Sequence, residues 1–171
     1  MLALSIKNPY AMQIIYGDKK IEYRTWPPKN VKEFLLVSSS TPSNVDFGLG
    51  LPNGYALAIV EITSVSDRKN RDGNYEWHVR PKMPIKPFKV KGKLHFYDVD
   101  GQLIEPLPDL VKSMKEYIKN PESEKATPFY TEFLEPLEGI GTKQMPKKYQ
   151  KILKETNDWN AVGQAWVDAA R

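Results

Sequence analysis

Hydrophobic residues in the first hundred positions come in short runs or alternate with polar ones, whereas beyond residue 100 they recur at helical spacing. Leu2 to Ile6 reads as a first strand that stops at Asn8-Pro9. Asn8 suits an N-cap and Pro9 a first helical residue, where a missing N–H costs nothing. The helix that follows shows Ala11, Ile14 and Ile15 on one face, and Gly17 supplies the left-handed residue that ends it. From Lys20 the alternation predicts a strand with Ile21 and Tyr23 on one face and Glu22 and Arg24 on the other. Phe34 to Val37 is a continuous apolar run, a strand buried on both faces, opening into Ser38-Ser39-Ser40-Thr41-Pro42 and a Gly- and Pro-punctuated loop from Ser43 to Asn53. Tyr55 to Val65, dense in β-branched residues, carries the strongest strand signal.

A polar, basic loop from Asp67 to Asn74 leads to a strand start at Tyr75 to Val79. Pro81, Pro84 and Pro87 then allow an extended path but no ladder interior. Phe88, Val90, Leu94 and Phe96 alternate with Lys89, Lys91, Lys93 and His95, which predicts a half-buried strand whose basic side chains all point one way. Further on, Asp109 is placed to cap a helix with Leu110, Val111, Met114, Tyr117 and Ile118 on its stripe, closed by Asn120-Pro121. Thr127-Pro128 starts a shorter helix containing Phe129, Phe133 and Leu134. A third spans 147 to 156 with Tyr149, Ile152 and Leu153 inward, and Asp158 caps a fourth carrying Trp159, Val162 and Trp166. The fold class expected is α+β: a β-rich domain over residues 1–100 and a helical extension over 101–171 packed on it.

With 171 residues and 40% apolar composition the chain can bury a core without staples. It has no Cys and two His, which excludes disulfides, thiolate zinc and cysteine catalysis, so no metal and no cofactor is expected. The N-terminus has no signal-peptide pattern and no stretch has the ~18 apolar residues of a membrane span, so a soluble, cytoplasmic protein without a membrane partner is expected. Net charge is only +4, but residues 1–100 hold fifteen Lys and Arg against ten Asp and Glu, and residues 66–95 alone are net +6. That concentration points to an anionic partner more strongly than the total does.

Ala3-Leu4-Ser5-Ile6-Lys7-Asn8-Pro9-Tyr10-Ala11, followed by Gly17-Asp18-Lys19-Lys20-Ile21-Glu22-Tyr23-Arg24, resembles the Gly-x-Lys-x-x-Glu-x-Arg signature of ASCH domains (activating signal cointegrator homology), in the PUA-like superfamily. The order of later segments is similar too: Leu35 to Ser39, Gly54 to Val65, Tyr75-x-Trp77, and Pro87 to Tyr97 with its Lys-Gly-Lys turn. The resemblance covers about residues 1–100. It implies a small, partly open mixed β-barrel of five or six strands with one or two helices, a cleft beside the first helix, and RNA or nucleic-acid binding. A few small bacterial members hydrolyse acetylcytidine or cleave RNA. In the amidohydrolase members a catalytic Thr, working with the signature Lys and a downstream Glu, stands where this chain has Glu22. The hydroxyl nucleophile is missing here, and that activity is not carried over.

Lys19, Glu22 and Arg24 sit at a helix-to-strand corner. A Glu and an Arg on one strand face usually form a partly screened ion pair worth ~0.2–1 kcal/mol; the resemblance makes the three residues a ligand site instead. In that reading Arg24 offers a planar fork to a phosphate or base edge, Lys19 a point charge, and Glu22 an acceptor for an exocyclic amino group. Trp26 is a stacking candidate for an unpaired base, a contact worth ~1–3 kcal/mol, while Trp77 is assigned to the core. Ser38 and Ser39 present hydroxyls and N–H groups suited to a phosphate, or form a plain turn. Lys89, Lys91 and Lys93 either bind phosphates or guard a sheet edge. His78 and His95 are read as surface or hydrogen-bonded residues, not ligands.

The function expected is binding of RNA, single-stranded nucleic acid or a nucleotide-like ligand without catalysis. The alternative is a hydrolase acting on a modified nucleoside or on RNA, with Lys19 as base or electrostatic stabiliser and Glu22 as proton acceptor. In a third reading the Trp159 to Trp166 helix serves a protein partner; docking of that helix onto its own domain is preferred.

Overall fold

A computed structural model describes residues 1–121 and 127–171. Six strands form one mixed, curled sheet: β1 (Leu2–Ile6), β2 (Ile21–Arg24), β3 (Glu33–Ser38), β4 (Tyr55–Val65), β5 (Tyr75–Lys89) and β6 (Phe96–Asp98), in the spatial order β2-β5-β4-β3-β1-β6. Only β1 and β3 run parallel. Helix α1 (Tyr10–Tyr16) follows β1, and α2 (Val111–Lys119), α3 (Glu135–Gln144), α4 (Lys147–Thr156) and α5 (Trp159–Ala169) follow the sheet. The architecture is α+β with a barrel-like sheet.

β3 is the reason for two cores. Phe34 and Leu36 face a large cluster shared with α1 and α2, while Leu35 and Val37 face a smaller one with Ala3, Ile85 and Tyr97. A strand buried on both sides reads as an unbroken apolar run, as the sequence shows. The large cluster also holds Leu110, Met114, Phe129, Phe133 and Leu137, so the helical segment is part of the main core. Gly17, at φ +87°, ends α1 as expected. Asn8 is fully buried; its side chain accepts from the Met12 N–H at 3.2 Å and donates to the Pro52 carbonyl at 2.6 Å, tying the long loop to α1.

Several expectations are corrected. β5 does not stop at its prolines: Pro81 pairs with Val60 and Pro84 with Ala58, each beside a register shift. Bulges accommodate residues that cannot donate, and Pro84 turns its carbonyl away from β4 to accept from the Leu107 N–H at 2.9 Å. The alternating stretch from Phe88 to Phe96 is not one strand. β5 ends at Lys89, Leu94 is 88% exposed, and His95 has a left-handed φ of +58° before β6 begins. Asp109 does not cap α2, because Pro108–Leu110 form a 3-10 turn ahead of it. The helix begun at Pro128 is longer than expected, running to Gln144 through a π-helical turn at Tyr130–Leu134. Pro136 explains that turn, since its ring and missing N–H disrupt regular α-helical bonding to the preceding turn.

The C-terminal helices dock on the loop before β4. Trp166 meets Phe47 edge-on at 5.6 Å, and Trp159 lies against Gly50. Gly141 of α3 touches the same loop so closely that a Cβ would collide with the Gly50 carbonyl oxygen. Gly141→Ala is therefore expected to destabilise by about 1–3 kcal/mol in urea unfolding, because backbone cannot yield. Gly139→Ala, on the open face of the same helix, should instead stabilise by about 0.5–1 kcal/mol. Equal signs for the two would contradict this packing.

Candidate functional site

The two edges of the curled sheet, β2 and β6, approach each other without pairing. Aromatic rings fill the seam: Phe96 of β6 stacks on Trp77 of β5 at 5.8 Å, and Trp26, just after β2, meets Trp77 at 5.1 Å and Phe96 at 5.3 Å, both edge-on. Arg24 closes it further by donating to the Ser5 carbonyl of β1 at 3.1 Å. Beside this seam a cleft of about 770 Å³ opens between the start of α1, β2 and the 91–95 segment.

β2 turns its charged face inward. Tyr23 is 46% exposed while Glu22 is buried, so the faces divide as expected but the polar one lies inside. Glu22 has Lys19 Nζ 3.7 Å from Oε1 and Arg24 Nη2 3.6 Å from Oε2. Its Oε1 accepts from the Tyr23 N–H at 3.1 Å, but the buried Oε2 has no hydrogen-bond partner. Glu22 also lines the cleft, and its Oε2 lies buried behind that wall as an unsatisfied acceptor. Lys19 donates to the Ile21 carbonyl at 2.6 Å and lies over the rings of Tyr10 and Tyr23, at the rim.

Of the residues singled out from sequence, Glu22, Arg24, Trp26, Ser39, Lys91 and Lys93 line this one cleft. Ser38 does not. It is fully buried, and its hydroxyl accepts from the Tyr55 N–H at 3.1 Å and donates to the Tyr55 carbonyl at 3.3 Å, which bridges β3 and β4. Lys89 ends β5 opposite Tyr55, away from the cleft, so the three lysines do not form one row. The basic stretch divides likewise, with Arg80 on Glu61 at 2.5 Å and Lys82 on Glu33 at 2.6 Å elsewhere on the surface. Trp77 is core, with no exposed surface.

Trp26 reaches the cleft, but one face is taken by His95, stacked at 4.9 Å. Tyr10, Tyr23 and His95 were not picked out for this site, and their rings also line it. An aromatic on the outward side of a four-residue edge strand was the available signal for Tyr23. Tyr10 donates its hydroxyl to Asp46, and that hydrogen bond raises the phenol above its ordinary value, holding it protonated. Across the seam, burial pushes the Tyr97 phenol up, partly offset by its 2.7 Å bond with the Ser5 hydroxyl. Thr25, Ser39 and Ser40 add hydroxyls at the cleft edge, and none hydrogen-bonds to an activating base among the described residues. Nor do three His, Cys, Asp or Glu gather anywhere among those residues as a metal site. No described helix is long and apolar enough to cross a membrane.

No curated protein matches the chain. A family model, the ASCH domain, matches residues 4–138, which extends the resemblance past residue 100 through α2 and into α3. That family is associated with RNA binding. Since the matched residues include both edges of the seam, the whole cleft and the helices packed beneath the sheet, and make up the greater part of the sequence, the chain belongs to the ASCH domain family.

Proposed function

We propose that the chain binds single-stranded RNA, or a nucleotide-like ligand, in the seam cleft without catalysing a reaction. The observation that carries this is the buried Oε2 of Glu22, which has no hydrogen-bond partner, just behind the wall of a cleft that also holds Arg24, Lys91, Lys93 and aromatic rings. A carboxylate in that position accepts from an exocyclic amino group, so it favours adenine, cytosine or guanine over uracil. Arg24 and the lysines supply phosphate contacts, and Tyr23 and His95 supply ring faces. A base reaches Glu22 only if it is unpaired, which selects single strands.

Fluorescence anisotropy with short labelled oligoribonucleotides tests this. Binding is expected at about 50 mM salt and should weaken linearly in log Kd against log salt; no binding at that salt overturns the proposal. Glu22→Gln replaces the free acceptor by an amide that also presents donors while keeping the shape. It should erase the preference for amino-bearing bases, a change of roughly 5- to 150-fold, corresponding to the ~1–3 kcal/mol of a specific base contact. An unchanged ranking of the four nucleoside monophosphates would show that Glu22 reads nothing.

A further inference from the structure

A second cavity, of about 730 Å³, lies between the end of α1, the outer part of the β4–β5 ladder and α2. Six cationic side chains line it, Lys19, Lys20, Arg80, Lys82, Lys115 and Lys119, against the single carboxylate of Glu61. Glu61 holds Arg80, Glu33 holds Lys82 and Glu22 faces Lys19. Lys20, Lys115 and Lys119 are exposed and have no acidic partner within 4.0 Å among the described residues. Lys115 and Lys119 stand one turn apart on α2, where like charges repel unless an anion lies between them. The walls are firmly seated, since Ile118 of α2 comes so near Gly17 that a Cβ there would lie 2.7 Å from its Cγ2.

The groove differs from the cleft in one decisive respect. No Phe, Tyr or Trp lines it and His78 is its one aromatic ring, so it offers charge with little stacking surface. Lys19 joins the two: it lines the groove and lies over Tyr10 and Tyr23, which wall the cleft. We infer that the groove carries the phosphate backbone of the same RNA strand whose unpaired base enters the seam cleft. This rests on the binding function proposed above and adds a second, sequence-independent contact region built largely by α2. Bases are read in the cleft, and flanking phosphates are held in the groove.

The test compares wild type with Lys115→Ala/Lys119→Ala, two exposed changes on α2, and with Lys147→Ala/Lys154→Ala, two exposed changes on α4 as a control for net charge. The probes are a mixed-sequence RNA dodecamer and the nucleoside monophosphates. The α2 variant should bind the dodecamer several-fold more weakly, with a salt slope shallower by about 1.4, which is two phosphate contacts at ~0.7 each. Its affinity for monophosphates should not change, and neither should any property of the α4 variant. An unchanged dodecamer slope, equal losses in both variants, or an equal loss for monophosphates overturns the groove while leaving the cleft in place. Absence of any RNA binding by wild type removes both.

Discussion

Trp77→Ala is expected to cost about 3–5 kcal/mol of stability, the range for truncating a fully buried tryptophan. The site makes the upper half of that range the expected value. Trp77 stacks on Phe96 and meets Trp26 edge-on, and these rings occupy the gap between two sheet edges that have no hydrogen-bonded ladder joining them. Loss of the indole therefore removes packing area and the contact that keeps the curl closed, and neighbours on an unpaired seam cannot collapse inward without shifting β6. Trp77→Phe separates the two contributions. The indole N–H is buried without a partner, so a phenyl ring gives up a donor that gains nothing and keeps most of the apolar surface. Its cost should fall clearly below that of Trp77→Ala, the remainder coming from the void the smaller ring leaves. Urea unfolding followed by circular dichroism measures both. A Trp77→Ala variant within about 1 kcal/mol of wild type would mean that the aromatic seam does not hold the sheet.

The seam also shows what the sequence discloses and what it hides. Strand and helix positions were legible where apolar residues form one stripe, as in α1 and α5, or an unbroken run, as in β3. Glu22 and Arg24 were legible as neighbours through strand alternation, and Lys19 joined them through the Gly-x-Lys-x-x-Glu-x-Arg resemblance. What was not legible depends on closure. No local pattern says that residues 91–95 will lie across from Arg24, or that His95 will cover Trp26, because that pairing is made by the curl of the whole sheet. The same closure decides which face of β2 is inside: with the seam at its flank, the charged face is buried and Arg24 meets Ser5, while Tyr23 is left half exposed at the cleft. The lysine row failed for a local reason. Gly92 passes so close to Ser5 that a Cβ would stand 2.5 Å from its hydroxyl, and the chain bends there instead of continuing as a strand. Lys91 and Lys93 are thereby carried to the cleft and Lys89 is left behind.

Lys19→Ala combined with Arg24→Ala is expected to do more than abolish binding. The Glu22 side chain is 9% exposed, and these two residues, at 3.7 and 3.6 Å, supply its neighbouring positive charge. Removing both leaves a buried carboxylate without a cation, a loss of about 3–5 kcal/mol for a fully enclosed pair. Here about 3 kcal/mol is expected, because Lys19 and Arg24 are themselves 15% and 23% exposed and water already reaches the group. Loss of RNA binding by that double variant would therefore be ambiguous on its own. Adding Glu22→Gln resolves it: the amide can still accept from the Tyr23 N–H, carries no charge to desolvate, and should restore most of the lost stability. The triple variant should then unfold near the wild-type urea midpoint and bind no RNA at about 50 mM salt. A double variant as stable as wild type would show that the Glu22 carboxylate needs neither cation, and the cluster would lose its role in the fold; RNA binding retained by that variant would remove its role in the site as well.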